Sequence, residues 1–366
     1  MDMAEDIVGD IVDVVVVGGG AAGLSAAKIL VRSRRSVLLV DSGEPRNAPA
    51  EGVHNYLYAE GTSPGQLREI GRAEALSYGV QLLDGAARAA TVLAQPVAGG
   101  PRFTVGLRTA NGEDRSAHGR RLVLTTGLVD ELPDIVGLRE RWGRDVLHCP
   151  FCHGWEVRDQ AVGVIGSNPM ALHQVMLFRQ LTADVVYFQH TAPDATAEQH
   201  EQLEALGIEY VTGQVDAVVI TDDALSGVRM ADGRVVARKA VAVATGLQAR
   251  EDLLADLGLA TAELELGGFV AGHYLPADPS GLTSTPGVWA AGNLAAPMTQ
   301  VISAAAAGAG VGAAVHMDLI SEDTQLAVAA WRARPASRPG ETFSAEIEAE
   351  VCRRVLGDRR HGLDIA

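Results

Sequence analysis

The chain has 366 residues, enough for two or three domains with a substantial core. Its 30 Lys and Arg against 46 Asp and Glu give a net charge of −16, which argues against nucleic acid or an anionic membrane as a main partner. The acidic start lacks the basic region of a signal peptide, and no apolar run is expected to be long enough to span a bilayer. Three cysteines are too few for a disulfide framework, so these features together predict a cytoplasmic α/β enzyme.

The first predicted elements form a complete βαβ unit. An apolar, β-branched run over residues 11–17 predicts a buried parallel strand, and the glycine-rich turn 18–23 leads into an Ala-rich helix to about Arg34. A second apolar strand covers residues 36–40 and ends at Asp41. Strand, helix, strand and acid in this order predict a dinucleotide-binding unit rather than a simple glycine-rich turn.

Each part of this fingerprint has a predicted task. Gly18 makes the turn, Gly20 lets the backbone approach a pyrophosphate, and Gly23 permits close packing of the helix. The helix N-terminus faces the phosphates, because its free N–H groups attract anions. The Asp41 carboxylate can accept a hydrogen bond from a ribose hydroxyl.

The most informative segment follows an apolar strand over residues 122–127. It contains His148, Cys149, Cys152 and His153, which form a Cys-x-x-Cys with a histidine on each side. This spacing lets two thiols close into a reducible disulfide ring, and a neighbouring base can generate the nucleophilic thiolate. Half of a zinc site is the alternative. The sequence has no second Cys-x-x-Cys, and Cys352 is far along the chain, so the pattern favours redox chemistry and predicts no metal ligands.

A second, degraded βαβ pattern comes next. Residues 161–165 predict a strand, residues 166–171 a turn, and the following segment a helix to about Leu181 before a strand over residues 185–188. Asn168 stands where the fingerprint has its middle glycine. A side chain at that position would obstruct a pyrophosphate.

The C-terminal part repeats the strand-and-turn pattern and then becomes helical. Apolar strands end in glycine turns at residues 241–246 and 287–293, and an Ala- and Gly-rich helix is predicted over residues 300–316. Residues 332–339 predict a linker, and residues 345–360 predict a last helix.

From about residue 11 to residue 320 the chain resembles the thioredoxin reductase family of two-domain flavoproteins. The resemblance rests on the first fingerprint, the Ala-Thr-Gly-type turns, the Cys-x-x-Cys, and the late Ala-Ala-Gly-Asn followed by Gln300. It implies an α/β fold of two Rossmann-like domains, FAD as the cofactor, and a homodimer. The implied domains are the first part of an FAD-binding domain at 1–130, a smaller degenerate NAD(P)H-type domain with the redox pair at 131–260, the second part of the FAD-binding domain at 261–325, and a linker with a C-terminal helix at 326–366.

The same resemblance implies which residues contact FAD. Val-His-Asn-Tyr at residues 53–56 matches the family's Val-Glu-Asn-Phe, which puts Asn55 near the flavin, while Asn293 replaces the aspartate of a late Gly-Asp motif. His54 and His190 are expected to be structural. The implied FAD-binding residues are Gly18, Gly20, Ala22, Gly23, Asp41, Arg46, Asn47, Asn55, Thr126, Gly127, Gly292, Asn293, Gln300 and Val301.

Three departures from the family pattern point away from NADPH as the usual reductant. His153 holds the place of the acid that follows the family's Cys-x-x-Cys, and Asn168 interrupts the second fingerprint. The family's His-Arg-Arg segment, which grips the 2′-phosphate, is replaced by residues 189–194 without any arginine.

These departures resemble one branch of the family, the FAD-dependent dithiol oxidases that close the disulfides of gliotoxin, holomycin and romidepsin-type compounds. The run Cys-Pro-Phe-Cys-His-Gly-Trp-Glu-Val-Arg-Asp over residues 149–159 and the Pro-Arg-Asn over residues 45–47 carry this likeness. It implies an enzyme that forms an intramolecular disulfide in a small natural-product dithiol and passes the electrons to dioxygen, giving H2O2. Cys149 would face the substrate and Cys152 the flavin, with His153 and His148 as candidate bases.

Two other functions stay open at the level of sequence. One is an NAD(P)H-dependent reductase of thioredoxin or of a small disulfide, which would need a nucleotide site in the second domain. The other is a non-catalytic flavoprotein, acting as a redox sensor or sequestering a reactive dithiol. An intact thiol pair beside a base favours an enzyme over this last alternative.

Overall fold

The computed structural model describes residues 11–334 and 344–356. In that part of the chain the strands are β1 (Ile11–Val17), β2 (Val37–Asp41), β3 (Gln81–Val92), β4 (Phe103–Thr109), β5 (Asp114–Leu124), β6 (Leu128–Glu131), β7 (Val146–Leu147), β8 (Val162–Ile165), β9 (Val185–Phe188), β10 (Glu209–Val211), β11 (Val215–Thr221), β12 (Ala224–Met230), β13 (Val235–Ala237), β14 (Ala240–Val243), β15 (Gly246–Ala249), β16 (Ala262–Leu266), β17 (Phe269–Tyr274) and β18 (Val288–Ala290). The helices are α1 (Ala21–Arg32), α2 (Pro64–Ser77), α3 (Pro150–His153), α4 (Ala171–Arg179), α5 (Ala197–Ala205), α6 (Val301–Arg332) and α7 (Ala345–Leu356).

The first sheet carries the N-terminal fingerprint. Its parallel strands lie in the order β3-β2-β1-β5-β18, and β4 pairs antiparallel with the long strands β3 and β5. Val14, Val15 and Val16 are fully buried, as expected for a central strand covered on both faces. The predicted strand over residues 11–17 is confirmed. Helix α1 stops two residues earlier than predicted, because Arg34 adopts a left-handed φ of 65°.

The second sheet is entirely parallel, in the order β10-β9-β8-β14-β7. All residues of β8 and β9 are buried, and both strands lie where the degraded βαβ pattern predicts them. The two parallel sheets confirm the predicted α/β class with two Rossmann-like domains. The domain boundaries at residues 130, 260 and 325 stay predictions.

Two smaller sheets complete the first unit. Strands β11, β12 and β13 form an antiparallel meander, and the other sheet has the order β16-β17-β15-β6. In it, β6 leads into the second Rossmann-like sheet and β15 leads out of it, and these two strands pair antiparallel over Leu128–Glu131 and Gly246–Ala249. The two chain crossings therefore lie side by side.

Helix α6 corrects two expectations from the sequence. It continues to Arg332 rather than ending near residue 316, because its last turns contain mostly Ala, Leu, Gln and Arg, which are good helix formers. The expectation that no apolar run could span a bilayer was wrong by length and composition, since a window of this helix has a mean hydropathy of 1.3. One such helix is weak support for a membrane segment, because core helices of soluble proteins have the same properties.

The chain divides into two compact units after Leu319. The second unit contains the end of α6 and helix α7, where the predicted last helix is confirmed as far as residue 356. Cys352 is an exposed free thiol on α7. The predicted linker lies mostly in residues 335–343, and residues 357–360 of the predicted helix also lie outside the described residues.

Candidate active site

A single cavity of about 880 Å³ in the first unit brings most of the predicted residues together. Its size falls within the range of about 300–1,000 Å³ that is usual for cofactor and ligand sites. The predicted residues that line it are Gly18, Gly20, Ala22, Asp41, Arg46, Asn47, Thr126, Gly127, His148, Cys149, Cys152, His153, Gly292, Asn293, Gln300 and Val301. Gly23 and Asn55 do not line it.

The glycines of the fingerprint occupy the positions that their predicted tasks require. Gly18 has a φ of 108°, and a Cβ there would lie 2.3 Å from the carbonyl oxygen of Thr125. A Cβ on Gly20 would meet nothing within 4 Å, so the space over the start of α1 is open. A Cβ on Gly23 would lie 1.8 Å from the carbonyl oxygen of Gly18, so Gly23 serves packing rather than contact with a ligand.

This end of the cavity fits an FAD. The N–H groups at the start of α1 face the open space over Gly20, which suits a pyrophosphate. The Thr126 hydroxyl is shielded from solvent and has no hydrogen-bond partner among the described residues, as expected for a group that a ligand would satisfy. Asp41 is buried, and its Oδ2 accepts from Arg68 at 2.7 Å and from Arg72 at 3.0 Å, which fixes the carboxylate at the end of β2.

Asn293 has a structural reason to replace aspartate. Its Nδ2 donates to the carbonyl oxygens of Pro297 and Thr299, both at 3.0 Å, and so shapes the loop that leads into α6. A carboxylate at this position has no hydrogen to donate and would face these carbonyls unfavourably. The amide therefore keeps the loop against the cavity.

The two thiols lie at the start of the short helix α3. Cys149 precedes the helix, Pro150 is its first residue, and the Sγ of Cys152 donates to the Sγ of Cys149 at 2.6 Å. That hydrogen bond lowers the pKa of Cys149 to about 7, with further help from the backbone N–H groups of Cys152 and Phe151. The same interaction and burial raise the pKa of Cys152. Cys149 is therefore the better thiolate and the better leaving group.

His148 lines the same cavity, and its hydrogen-bond partner determines which ring nitrogen carries the hydrogen. Its Nδ1 is 3.3 Å from the carbonyl oxygen of Val243, which can only accept, so Nδ1 carries the hydrogen and Nε2 keeps a lone pair. Burial lowers the pKa of His148, and the nearby charge of Arg46 lowers it further. A neutral imidazole with a free Nε2 can act as a base.

Arg46 contacts a carboxylate that was not among the predicted site residues. Its guanidinium binds both oxygens of Asp130, at 2.5 and 2.6 Å, and Thr245 donates to the same carboxylate at 2.9 Å. The side chain of Asp130 is only 5% exposed. Arg46 thus lines the cavity with its charge already paired, and any contact of Arg46 with FAD stays a prediction.

His153 lies on α3 and faces a histidine that was expected to be structural. The rings of His153 and His54 are edge to face with centroids 5.9 Å apart, and both line the cavity. Burial lowers the pKa of His153, Glu156 raises it, and His54 lowers it. The sequence signal for a place of His54 in the cavity is the Val-His-Asn-Tyr motif, in which His54 replaces the family's glutamate.

Asn55 lies beside the redox segment instead of lining the cavity. It has a left-handed φ of 61°, and its Nδ2 donates to the carbonyl oxygen of Phe151 at 2.6 Å. This hydrogen bond ties the loop after β2 to α3 and so positions the thiols. A contact between Asn55 and the flavin stays a prediction.

The turn before α4 is filled by its own side chain. Asn168 is buried, its Nδ2 donates to the carbonyl oxygen of Ala244 at 3.2 Å, and its Oδ1 accepts from the backbone N–H of Met170 at 2.9 Å. That N–H is one of the groups that a pyrophosphate would need at this helix start. Asn168 thus takes both the space and a donor of a nucleotide site.

The segment after β9 has an acidic residue and no arginine at the place where the family binds a 2′-phosphate. Gln189 donates to Asp194, and His190 accepts from the backbone N–H of Val215 at 3.1 Å. A carboxylate there repels a phosphate, which normally binds an arginine fork.

Comparison with known proteins shows the family to which the chain belongs. A family model described as pyridine nucleotide-disulphide oxidoreductase matches residues 12–309. Thioredoxin reductase tcpT of Claviceps purpurea is 27% identical over 322 residues, which cover 86% of this chain and 96% of that protein. A probable thioredoxin reductase of Arthroderma benhamiae is 32% identical over 187 residues, which cover 50% of this chain and 45% of that protein. The crystal structure of HlmI has a TM-score of 0.78 at 41% identity, covering 87% of this chain and 96% of that one. The resemblance predicted from the sequence is confirmed.

Proposed function

Because the chain belongs to the pyridine nucleotide-disulphide oxidoreductase family, whose thioredoxin reductase members are FAD flavoproteins, we propose that it is an FAD-dependent dithiol oxidase. Its substrate is a small natural-product dithiol, which it converts into an intramolecular disulfide with dioxygen as the electron acceptor. One observation carries the proposal. Both thiols and the two histidines that flank them in sequence line the cofactor cavity, whereas Asn168 fills the turn that a reducing nucleotide would need.

The exchange begins with the enzyme in its Cys149–Cys152 disulfide form. A substrate thiolate attacks the Sγ of Cys149, the enzyme disulfide breaks, and Cys152 leaves as a thiolate. The second substrate thiolate attacks the substrate sulfur bound to Cys149, which closes the product disulfide and releases Cys149 as a thiolate. The backbone N–H groups of Cys152 and Phe151, which lower the pKa of Cys149, stabilise the thiolate that is released in this second step.

Two protons must leave the substrate thiols during this exchange. His153 and His148 flank the pair, and each is held neutral by burial, so each can accept one proton. The residues that would hold FAD are those at the start of α1, Asp41, Thr126 and the loop of Asn293. Bound FAD would accept the electron pair as the enzyme disulfide is restored, and its reoxidation by dioxygen would give H2O2 with the two protons that the substrate thiols had lost.

An anaerobic titration of the purified flavoprotein tests the proposal against the reductase alternative. Dithiothreitol should bleach the flavin absorbance, NADPH should not, and air should restore the colour with about one H2O2 per flavin. Rapid bleaching by NADPH would mean that the second domain still binds nucleotide, and the reductase function would replace this one. Bleaching without multiple turnover in air would favour a sensor.

Substitution of each thiol tests the route of the electrons. Cys149→Ser and Cys152→Ser should each abolish dithiol turnover while FAD stays bound, because neither serine can form the enzyme disulfide. Cys352→Ser is the matched control, since this exposed thiol lies in the second unit and should leave turnover unchanged. Turnover that persists in Cys149→Ser would refute the exchange scheme.

A further inference from the structure

A cluster of three metal-ligating side chains lies beside the thiol pair. His54, His153 and Glu156 each offer one ligand atom, and these atoms all lie within 4.8 Å of one another. The Nε2 of His54 lies 3.5 Å from an oxygen of Glu156. The two histidines come from different parts of the fold, the loop after β2 and helix α3.

Glu60 orients the first of these ligands. Its Oε1 lies 2.6 Å from the Nδ1 of His54, and its Oε2 accepts from the backbone N–H of Asn55 at 2.8 Å. A carboxylate can only accept, so it holds the hydrogen on Nδ1 and leaves the lone pair on Nε2, which points to the cluster. Such a carboxylate behind a ligating histidine is what metal sites commonly use to fix the tautomer and the ring.

The cluster is partly shielded and still open to solvent. The side chain of His54 is 22% exposed and that of Glu156 is 41% exposed, so an ion can enter from one side. Two imidazoles and one carboxylate are a ligand set that suits Zn²⁺, with a fourth position left for water. Of the described residues, these are the ones that bring three such ligands together.

We propose that His54, His153 and Glu156 form a binding site for a divalent cation of the Zn²⁺ class, with Glu60 as the supporting carboxylate. The cation takes up the lone pair of His153, so its binding and proton removal by His153 exclude each other. Only this last consequence depends on the proposed function. The site itself is independent of the reaction that the thiols perform.

Zinc binding to the FAD-loaded enzyme in its disulfide form tests the site without any activity. Equilibrium dialysis at micromolar free Zn²⁺, on tag-free protein with Cys352→Ser, should give one zinc per chain, since the disulfide removes the other thiols as ligands. His54→Ala and Glu156→Gln should each weaken binding by about tenfold or more, and Glu60→Gln should weaken it by about 10- to 100-fold. His173→Ala removes an exposed histidine on α4 and should change nothing.

The alternative is an ion pair in which His54 simply bridges two carboxylates. In that case the enzyme would bind no zinc, or would keep the same affinity in His54→Ala, and either result overturns the proposal. Flavin content and circular dichroism of each variant establish that it is folded, with His54→Gln as a substitute if His54→Ala is not. If the enzyme binds zinc at these residues but oxidises no dithiol, the proposed function alone is refuted and the metal site stands.

Discussion

At the scale of single residues, the departures from the family pattern have local physical causes. Asn293 uses an amide hydrogen that aspartate lacks to hold two backbone carbonyls. Asn168 uses both ends of its amide to close a turn that a glycine would leave open. The same residue type thus supports the cofactor cavity in one domain and fills the turn before α4 in the other.

The unequal acidity of the two thiols leads to a prediction about alkylation. After reduction, iodoacetamide at pH 7 should modify Cys149 faster than Cys152, because the pKa of Cys149 is lowered to about 7 while that of Cys152 is raised. We expect a rate ratio of about ten or more, since the thiolate is the reacting form. Peptide mapping of briefly alkylated protein, in a Cys352→Ser background, measures the ratio.

Single substitutions of the thiols separate this effect from simple access. The Cys149 thiolate is stabilised mainly by the hydrogen bond from Cys152, so Cys152→Ala should slow alkylation of Cys149 at pH 7. Equal labelling of both thiols in the intact pair would contradict the assignment of Cys149 as the exchange thiol.

At the scale of secondary structure, small residues let two helices approach closely. Gly308 and Gly312 of α6 are buried against α1, and a Cβ on Gly308 would lie 2.0 Å from the carbonyl oxygen of Ala22. Ala22 and the start of α6 both line the cofactor cavity. The Ala- and Gly-rich composition of α6 therefore sets the width of this end of the cavity.

This packing predicts different effects for two glycines on the same helix. Gly308→Val should lower the free energy of unfolding by about 3 kcal/mol and reduce FAD content, because the added side chain forces α6 away from α1. Gly310→Ala is the control, since a Cβ there meets nothing within 4 Å, and it should stabilise the helix by up to about 1 kcal/mol. Denaturant unfolding and the flavin-to-protein absorbance ratio measure both. A Gly308→Val variant as stable as the parent would refute the close contact.

Local patterns explain which elements the sequence could predict. Strands β1, β8 and β9 are continuous apolar runs, and the fingerprint glycines and Cys-x-x-Cys act over a few residues, so their positions follow from spacing alone. The prediction ended α6 at residue 316 because the Ala- and Gly-rich run ends there, although no glycine or proline marks a stop within residues 317–332.

Contacts between distant residues explain what the sequence could not predict. Arg46 and Asp130 are 84 positions apart, and no periodicity connects them. The meeting of His54 with His153 likewise depends on how the loop after β2 lies over α3. Such pairs become visible only when the chain is folded.

At the scale of the whole molecule, the net charge of −16 acts on every charged substrate that approaches. The protein field repels anions, and salt screens it over a Debye length of about 10 Å at 0.1 M ionic strength. Charges around the cavity are of both signs, with Asp41, Arg68 and Arg46 paired to partners. The long-range field is therefore set by the excess of acidic groups over the surface as a whole.

This field predicts a salt dependence that differs between dithiols of different charge. For an anionic dithiol such as dimercaptopropanesulfonate, kcat/KM should rise about threefold or more between low ionic strength and 0.15 M, because screening removes the repulsion on approach. For the neutral dithiothreitol it should stay nearly constant, which controls for effects of salt on the chemistry. Oxygen uptake at substrate concentrations below KM measures both. Parallel salt profiles for the two dithiols would show that the charge of the whole chain does not reach the entrance, and that the paired charges at the cavity alone decide which substrates enter.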